Sequence, residues 1–182
     1  MASERAERER PDDIDHMLAD WARERPELDV SAVGVFGRIS RLHARQRAIL
    51  NVIFERYDLT FASFDLLANL RRSGPPHRKT AGELATSSML TTGGITFRLD
   101  KMEEQGLVER IRTSEDRRVV YAQLTPPGYE VIDAVFGTHV VTERQMLAGL
   151  SDAEVKQLAT LLKKAARSVD RYAHSDADEA AS

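Results

Sequence analysis

The sequence predicts a mainly α-helical protein with one small β-hairpin, which is an α+β fold. Apolar residues recur at intervals of three and four along most of the chain, the spacing of amphipathic helices. Between Leu107 and Leu124 the interval changes to two, which is typical of strands. The length of 182 residues, with 42% hydrophobic and 30% charged side chains, suits one domain with a single core.

The composition excludes several kinds of site. Because the chain has no cysteine, it can form no disulfide, thiolate metal site or thiol redox sensor. None of the histidines lies close to another in the sequence, so no metal and no cofactor is predicted. No apolar run is long enough for a signal peptide or a membrane span. We therefore expect a cytoplasmic protein that makes no membrane contact.

The first elements are an accessory helix and a long amphipathic helix. Residues 1–11 are expected to form a disordered tail, and acidic residues from Asp12 onward cap a helix over 12–26 that Pro26 ends. A longer helix follows over 34–57, where arginines lie between apolar residues at helical spacing. At the other end of the chain, residues 173–182 are expected to form a second disordered tail.

The middle of the chain predicts three helices in close succession. One begins at Thr60 and breaks at a Ser-Gly-Pro-Pro sequence, and a short one begins at Thr80, which forms a capping box with Glu83. The third contains Ile95 and Leu99 on one face and ends at Gly106. Four hydroxyl side chains before it are expected to supply its N-cap: Ser87, Ser88, Thr91 and Thr92.

A β-hairpin and two helices complete the predicted order. The hairpin strands lie on either side of a polar connection over 113–118. Thr125 and Pro126 then begin a helix, with threonine as the cap and proline at the first helical position. Ser151 and Glu154 form a capping box for the last helix. The predicted order is α-α-α-α-α-β-β-α-α.

Helix, tight turn, helix and two-stranded wing in immediate succession predict a winged helix-turn-helix over 60–125. In that motif the second helix of the pair enters the DNA major groove with its N-terminal residues near bases and phosphates. The segment holds 10 basic and 8 acidic side chains, whereas the whole chain has a net charge of -3, so it is the net basic part. A small positive charge of this kind is also common on a solvated surface.

The candidate DNA contacts cluster before and within the third of these helices. Short hydroxyl side chains suit contacts to bases and phosphates, and glycines let the backbone approach DNA closely. Simple helix capping is an alternative role for some of the hydroxyls. The candidates are Ser87, Ser88, Thr91, Thr92, Gly93 and Arg98.

The tip of the wing supplies a second set of candidate DNA contacts. Arg117 or Arg118 is expected to enter an adjacent minor groove, whose negative potential attracts guanidinium groups, while Asp116 shapes the loop. A solvated loop without DNA contact is the alternative.

Over about residues 34–172 the sequence resembles the MarR family of bacterial regulators. The resemblance is carried by Gly-Leu-Val-Glu-Arg at 106–110, by Asp-Arg-Arg at 116–118 and by Leu-Thr-Pro-Pro-Gly at 124–128. It implies a homodimer that binds a pseudo-palindromic operator in double-stranded DNA. The helices over 34–57 and 126–172 would then form the helical dimerisation region.

A narrower resemblance connects the chain with the urate-responsive, PecS-like branch of that family. Trp21, Asp65, Arg98 and Arg110 occupy places that correspond to the ligand-binding residues of the branch. Each residue also has an ordinary alternative, such as a hydrophobic staple for Trp21 or a phosphate contact for Arg98. Guanidinium groups and an indole N–H suit a small planar or carboxylated anion. Since relatives of the branch answer to citrate or aconitate-type acids, the resemblance leaves the effector open.

These observations predict a ligand-responsive, sequence-specific transcription regulator, most simply a repressor that a small anionic metabolite releases from DNA. No phosphate-binding glycine loop, nucleophile elbow or clustered histidine and carboxylate pair is present in the sequence, so we do not expect an enzyme. Two alternatives stay open. One is a MarR-type regulator that responds to phenolic effectors, and the other is a winged-helix module for protein interaction.

Overall fold

The computed structural model describes residues 10–88, 94–112 and 119–180 of the chain. In these ranges it contains seven helices and three short strands, in a mainly helical arrangement. In chain order they are α1 (Asp13–Glu24), α2 (Ser31–Glu55), α3 (Phe61–Arg72), β1 (Arg78–Thr80), α4 (Ala81–Ser87), α5 (Ile95–Glu104), β2 (Val108–Arg112), β3 (Val120–Leu124), α6 (Pro126–Met146) and α7 (Asp152–Ala180). None of the described helices is both long enough and apolar enough to span a membrane.

Three of the predicted helix starts are confirmed by their caps. Asp12 accepts hydrogen bonds from backbone N–H groups of the first turn of α1 and forms a capping box with Asp15. The Thr60 hydroxyl caps α3, and Thr80 forms the expected capping box with Glu83 at the start of α4. These local signals can be read from the sequence because a cap depends on residues only two or three positions apart.

The sheet has one strand more than the sequence predicts. The expected hairpin of β2 and β3 is present, but β1 also pairs with β3 and gives an antiparallel sheet of order β1-β3-β2. With only three residues, β1 is too short to show an alternating pattern of its own. It forms because the tertiary fold brings Arg78 opposite Gln123 and Thr80 opposite Tyr121.

The start of α5 differs from the predicted N-cap. Gly94 is the N-cap residue, with a φ of 86°, and no side chain of the described residues caps the helix. Ser87 is the last residue of α4 and Ser88 is its C-cap, so the expectation that these two hydroxyls cap α5 is wrong. Thr91, Thr92 and Gly93, named with them as candidate DNA contacts, lie outside the described residues.

The core of the first compact unit, Met1–Val135, lies within and around the winged segment. Leucines of α3 pack with α4, α5 and the sheet, and several apolar side chains have no more than 3% of their surface exposed. These residues are Leu66, Leu67, Leu70, Leu84, Ile95, Leu99, Met102 and Val108. Helix α1 packs on α2, and Ile14 is its one buried residue.

The second compact unit, Phe136–Ser182, contains the end of α6 and all of α7. Within it, Arg144 of α6 donates a hydrogen bond of 2.6 Å to Asp152 at the start of α7. Helix α7 continues to Ala180. The sequence predicts a disordered tail from residue 173, whereas in the structure residues 173–180 belong to this helix. A polar composition does not prevent the extension, since the alanines and the glutamate of this segment are good helix formers.

Candidate DNA-reading surface and effector site

Helix α5 divides its side chains between the core and the outside. Ile95, Leu99 and Met102 face inward and are almost completely buried, which fixes the rotation of the helix about its axis. The opposite side, including Phe97 and Lys101, is exposed. This arrangement matches the recognition helix of a helix-turn-helix, whose outer side must remain open to enter the major groove.

A polar network joins α3, β1 and α4 beneath the helix-turn-helix. The Lys79 ammonium donates to Asn69 Oδ1 at 2.7 Å and to the Ser87 hydroxyl at 3.0 Å. The Ser87 hydroxyl lies 3.0 Å from the same Asn69 oxygen, and Asn69 is fully buried. In addition, Arg72 donates to the Ser87 carbonyl at 2.6 Å. The network holds the end of α4 against α3 at the point where the chain enters the turn.

This network changes the interpretation of Ser87. Its hydroxyl has protein partners on three sides, because the carbonyl of Glu83 also lies within hydrogen-bond distance. A hydroxyl with this environment has little capacity left for a phosphate or a base. The sequence analysis did not single out Asn69 or Lys79 as members of such a network. The sequence does contain a signal for Asn69, because it is an amide side chain between apolar residues of α3.

Gly94 makes room for the side chain of Arg98. A Cβ atom added at Gly94 would lie 2.9 Å from Arg98 Nη1, and the positive φ at this position also disfavours any other residue. Arg98 is therefore folded back toward the N-terminal end of α5, where anions are favoured. This placement suits a contact to a phosphate close to the helix terminus.

Arg110 of β2 is a clamp between the wing and the recognition helix. Its guanidinium donates to the carboxylates of Asp100 and Glu103, with the Glu103 contact at 2.6 Å. The backbone N–H of Arg110 donates to Glu103 as well, at 3.0 Å. The hydrogen bond to Asp100 raises the pKa of Arg110 above its ordinary value, partial burial opposes that rise, and Glu103 adds to it. The side chain therefore stays charged and engages two carboxylates of α5.

A cavity of about 490 Å³ lies between α5 and the sheet. It contains two guanidinium groups, one carboxylate and a hydroxyl among apolar side chains. The lining residues are Ala81, Thr96, Leu99, Asp100, Arg110, Arg112, Val120 and Ala122. Small-molecule sites commonly have this size and mixture of apolar walls with a few polar groups.

The structure does not gather the four predicted effector residues around this cavity. Among the residues it describes, Arg110 alone of the four lines the cavity. Asp65 is buried in α3, Trp21 is 46% exposed on α1, and Arg98 lies beside Gly94. Sequence reasoning missed Arg112, which adds a second cation at the same cavity, because an arginine in a short strand carries no distinctive spacing.

The predicted wing tip, with Asp116, Arg117 and Arg118, lies outside the described residues. Its two supporting strands are described, and they pair in register from Val108 with Leu124 to Arg112 with Val120. In the described ranges no group of three or more histidines and carboxylates is placed to hold a metal ion.

Comparison with known proteins gives a consistent result. A model of the MarR family matches residues 57–119 of the chain. The HTH-type transcriptional regulator PecS of Dickeya dadantii (strain 3937) is 35% identical over 150 residues, which cover 82% of this chain and 90% of PecS. The match includes most of both chains.

Solved structures are similar as well. A mutant MarR from E. coli complexed with operator DNA has a TM-score of 0.64 and 25% identity, over 75% of this chain and 96% of that one. Sco3205, a MarR family transcriptional regulator from Streptomyces coelicolor in complex with DNA, has a TM-score of 0.69 and 24% identity. That alignment covers 78% of this chain and 89% of Sco3205.

Proposed function

Because this chain belongs to the MarR family of DNA-binding transcription regulators and is not an enzyme, we propose that it is a homodimeric repressor released from its operator by a small anionic metabolite. The operator would be a pseudo-palindrome, since a twofold symmetric dimer presents two equal winged helix-turn-helix segments. The effector would be urate or a citrate- or aconitate-type acid. The observation that carries the proposal is the Arg110 clamp.

The clamp connects effector binding with DNA reading by competition. An anion that enters the cavity would offer its own oxygens to Arg110 in place of the carboxylates of Asp100 and Glu103. Because both carboxylates belong to α5, their release would free the recognition helix from the wing. The effector would then favour the DNA-incompetent state by its differential affinity for the two arrangements.

The charges of the cavity suit this competition. Arg110 and Arg112 attract an anion, whereas the carboxylate of Asp100 repels it for as long as the clamp is closed. Binding is therefore favourable only in combination with movement of Asp100. We propose Trp21, Asp65 and Arg98 as effector-site residues because of the resemblance to the urate-responsive branch. Arg110 is supported in addition by its position in the wall of the cavity.

The homodimer is supported by apolar surface on the helices outside the winged helix-turn-helix. In α2, Phe36 and Leu42 are each more than half exposed, and Tyr172 of α7 is 68% exposed. Helices that carry several such side chains are typical of protein–protein interfaces. Light scattering coupled to size exclusion is expected to give a molecular mass twice that of one chain.

The proposal is tested by titrating effectors against a protein–DNA complex. The DNA is a labelled duplex selected by the wild-type protein from a random pool, and binding is followed by fluorescence anisotropy at two salt concentrations. Urate, citrate, aconitate and salicylate are then added separately. Release by urate, citrate or aconitate supports the proposal, and release by salicylate alone supports a phenolic effector instead. If none of the four compounds releases the protein from DNA, the proposal is contradicted.

Two substitutions with opposite expected effects test the competition. Arg110→Ala is expected to weaken operator binding in the absence of effector, because the clamp is opened, and to make the remaining affinity insensitive to effector, because the contact to the anion is lost. Asp100→Asn is expected to lower the effector concentration needed for release by about tenfold, because the competing charge is removed. Arg25→Ala, which removes an arginine paired with Glu27 in the loop after α1, serves as the matched control. If Asp100→Asn instead weakens release, Asp100 is a ligand contact and the competition mechanism is wrong.

A further inference from the structure

Phe97 is an exposed aromatic side chain on the outer side of the recognition helix. Its side chain is 73% exposed, the largest fraction of any large hydrophobic residue that the structure describes. It is the third residue of α5, in the turn that enters the major groove first in a helix-turn-helix. The ring cannot turn into the core, because Ile95, Leu99 and Met102 occupy the inner side.

The neighbours of Phe97 make its surroundings suitable for DNA. Lys101 lies one turn further along the same side of α5, and an exposed ammonium at this place suits a phosphate contact. Thr96 is exposed next to it. Asp100, three residues after Phe97 on the same helix, is paired with Arg110, which it shares with Glu103. The outer side therefore presents an apolar ring beside a cation, and the adjacent carboxylate is already paired with an arginine.

The major groove offers one apolar group that such a ring can contact. Each A·T pair projects the C5-methyl group of thymine into that groove, and phenylalanine is among the side chains that contact it. A ring this exposed in the free protein gains by leaving water when it meets a methyl group. We propose that Phe97 reads a thymine in each operator half-site by packing against its C5-methyl group.

Thymine-to-uracil substitution tests this contact, because uracil lacks only the methyl group and keeps the same base pairing. Starting from the duplex selected from the random pool, each thymine is replaced singly by deoxyuridine. We expect one symmetry-related pair of positions at which wild-type affinity falls about fourfold for each half-site, the change that corresponds to one buried methyl-sized group. Phe97→Ala is expected to bind thymine and uracil duplexes equally at those positions.

A matched variant separates base reading from general affinity. Lys101→Ala is expected to weaken binding to all duplexes alike and to reduce the salt dependence, while keeping the thymine preference. Unchanged thermal unfolding of Phe97→Ala, expected for so exposed a residue, shows that the fold is intact.

Equal wild-type affinity for every thymine and uracil duplex, or a thymine preference that survives in Phe97→Ala, would overturn the inference. The inference rests on the proposed function as a DNA-binding regulator. That proposed function, and not only the thymine contact, would fail if the wild-type protein selected no duplex from the random pool.

Discussion

The reading head, residues 61–124, and the accessory helix α1 are held in place by different forces. In the reading head, Leu66, Leu67 and Leu70 are fully buried against several elements at once. In α1, Ile14 is the single buried side chain, and most of the specific contacts to α2 are ion pairs between half-exposed groups. Asp12 and Asp15 bind Arg38, and Asp13 binds Arg41.

This difference separates global stability from local attachment. Burial of many apolar side chains makes the reading head a cooperative unit whose disruption unfolds the whole domain. Ion pairs between half-exposed groups are weak and are screened by salt. We therefore expect α1 to detach under conditions that leave the reading head folded, and we expect the reading head to tolerate core substitutions poorly.

The largest expected effect comes from truncating the same kind of side chain in the two regions. Leu70→Ala leaves a cavity in the reading head and is expected to lower the free energy of unfolding by about 3 kcal/mol. Ile14→Ala removes the one buried side chain of α1 and is expected to leave global unfolding nearly unchanged, while acrylamide quenching of Trp21 increases. Urea denaturation followed by circular dichroism checks the first part. Equal loss of global stability in both variants would show that α1 belongs to the cooperative core.

A second effect depends on a close backbone approach at the edge of the reading head. Gly128 in the first turn of α6 lies against the carbonyl of Leu107, and a Cβ atom added there would overlap that oxygen. Gly128→Ala is expected to lower the free energy of unfolding by about 1–3 kcal/mol, because the start of α6 must move away.

Gly137→Ala is the control on the same helix. In the described part of the chain, a Cβ atom there meets nothing within 4 Å, so the substitution is expected to be neutral or to stabilise the helix. Thermal unfolding compares the two variants. A Gly128→Ala protein as stable as wild type would mean that α6 is not fixed against the Leu107 carbonyl.

The smallest effect concerns the pH dependence of the α1 attachment. The backbone N–H of Asp15 and the guanidinium of Arg38 lower the pKa of Asp12 to about 2, from an ordinary value of 3.8. A carboxyl with a lowered pKa stabilises the folded arrangement above its ordinary pKa, and that contribution disappears as the pH falls toward the lowered value. Attachment of α1 should therefore weaken between about pH 4 and pH 2.

Asp12→Asn sharpens this prediction, because asparagine keeps a capping oxygen but loses the charge that pairs with Arg38. Trp21 in this variant is expected to be more accessible to acrylamide at neutral pH than in wild type, and its accessibility should change less than in wild type between about pH 4 and pH 2. High salt should produce a similar increase in the wild-type protein. If neither acid, salt nor the substitution alters Trp21, the ion pairs do not hold the helix.

The sequence by itself determined the features of this protein that depend on neighbouring residues. The helix caps at Asp12, Thr60 and Thr80, the hairpin of β2 and β3, and the family all follow from patterns within a few positions. These signals can be read directly because capping and alternation are local interactions.

Only the tertiary structure decided which side chains meet across elements. It placed Arg110 on two carboxylates of the recognition helix, Ser87 in a network with Asn69 and Lys79, and the short strand β1 beside β3. It also left Phe97 exposed where the sequence shows only an aromatic residue in a helix. Long-range pairing and exposure depend on how elements pack together, and no spacing within a single element specifies that packing.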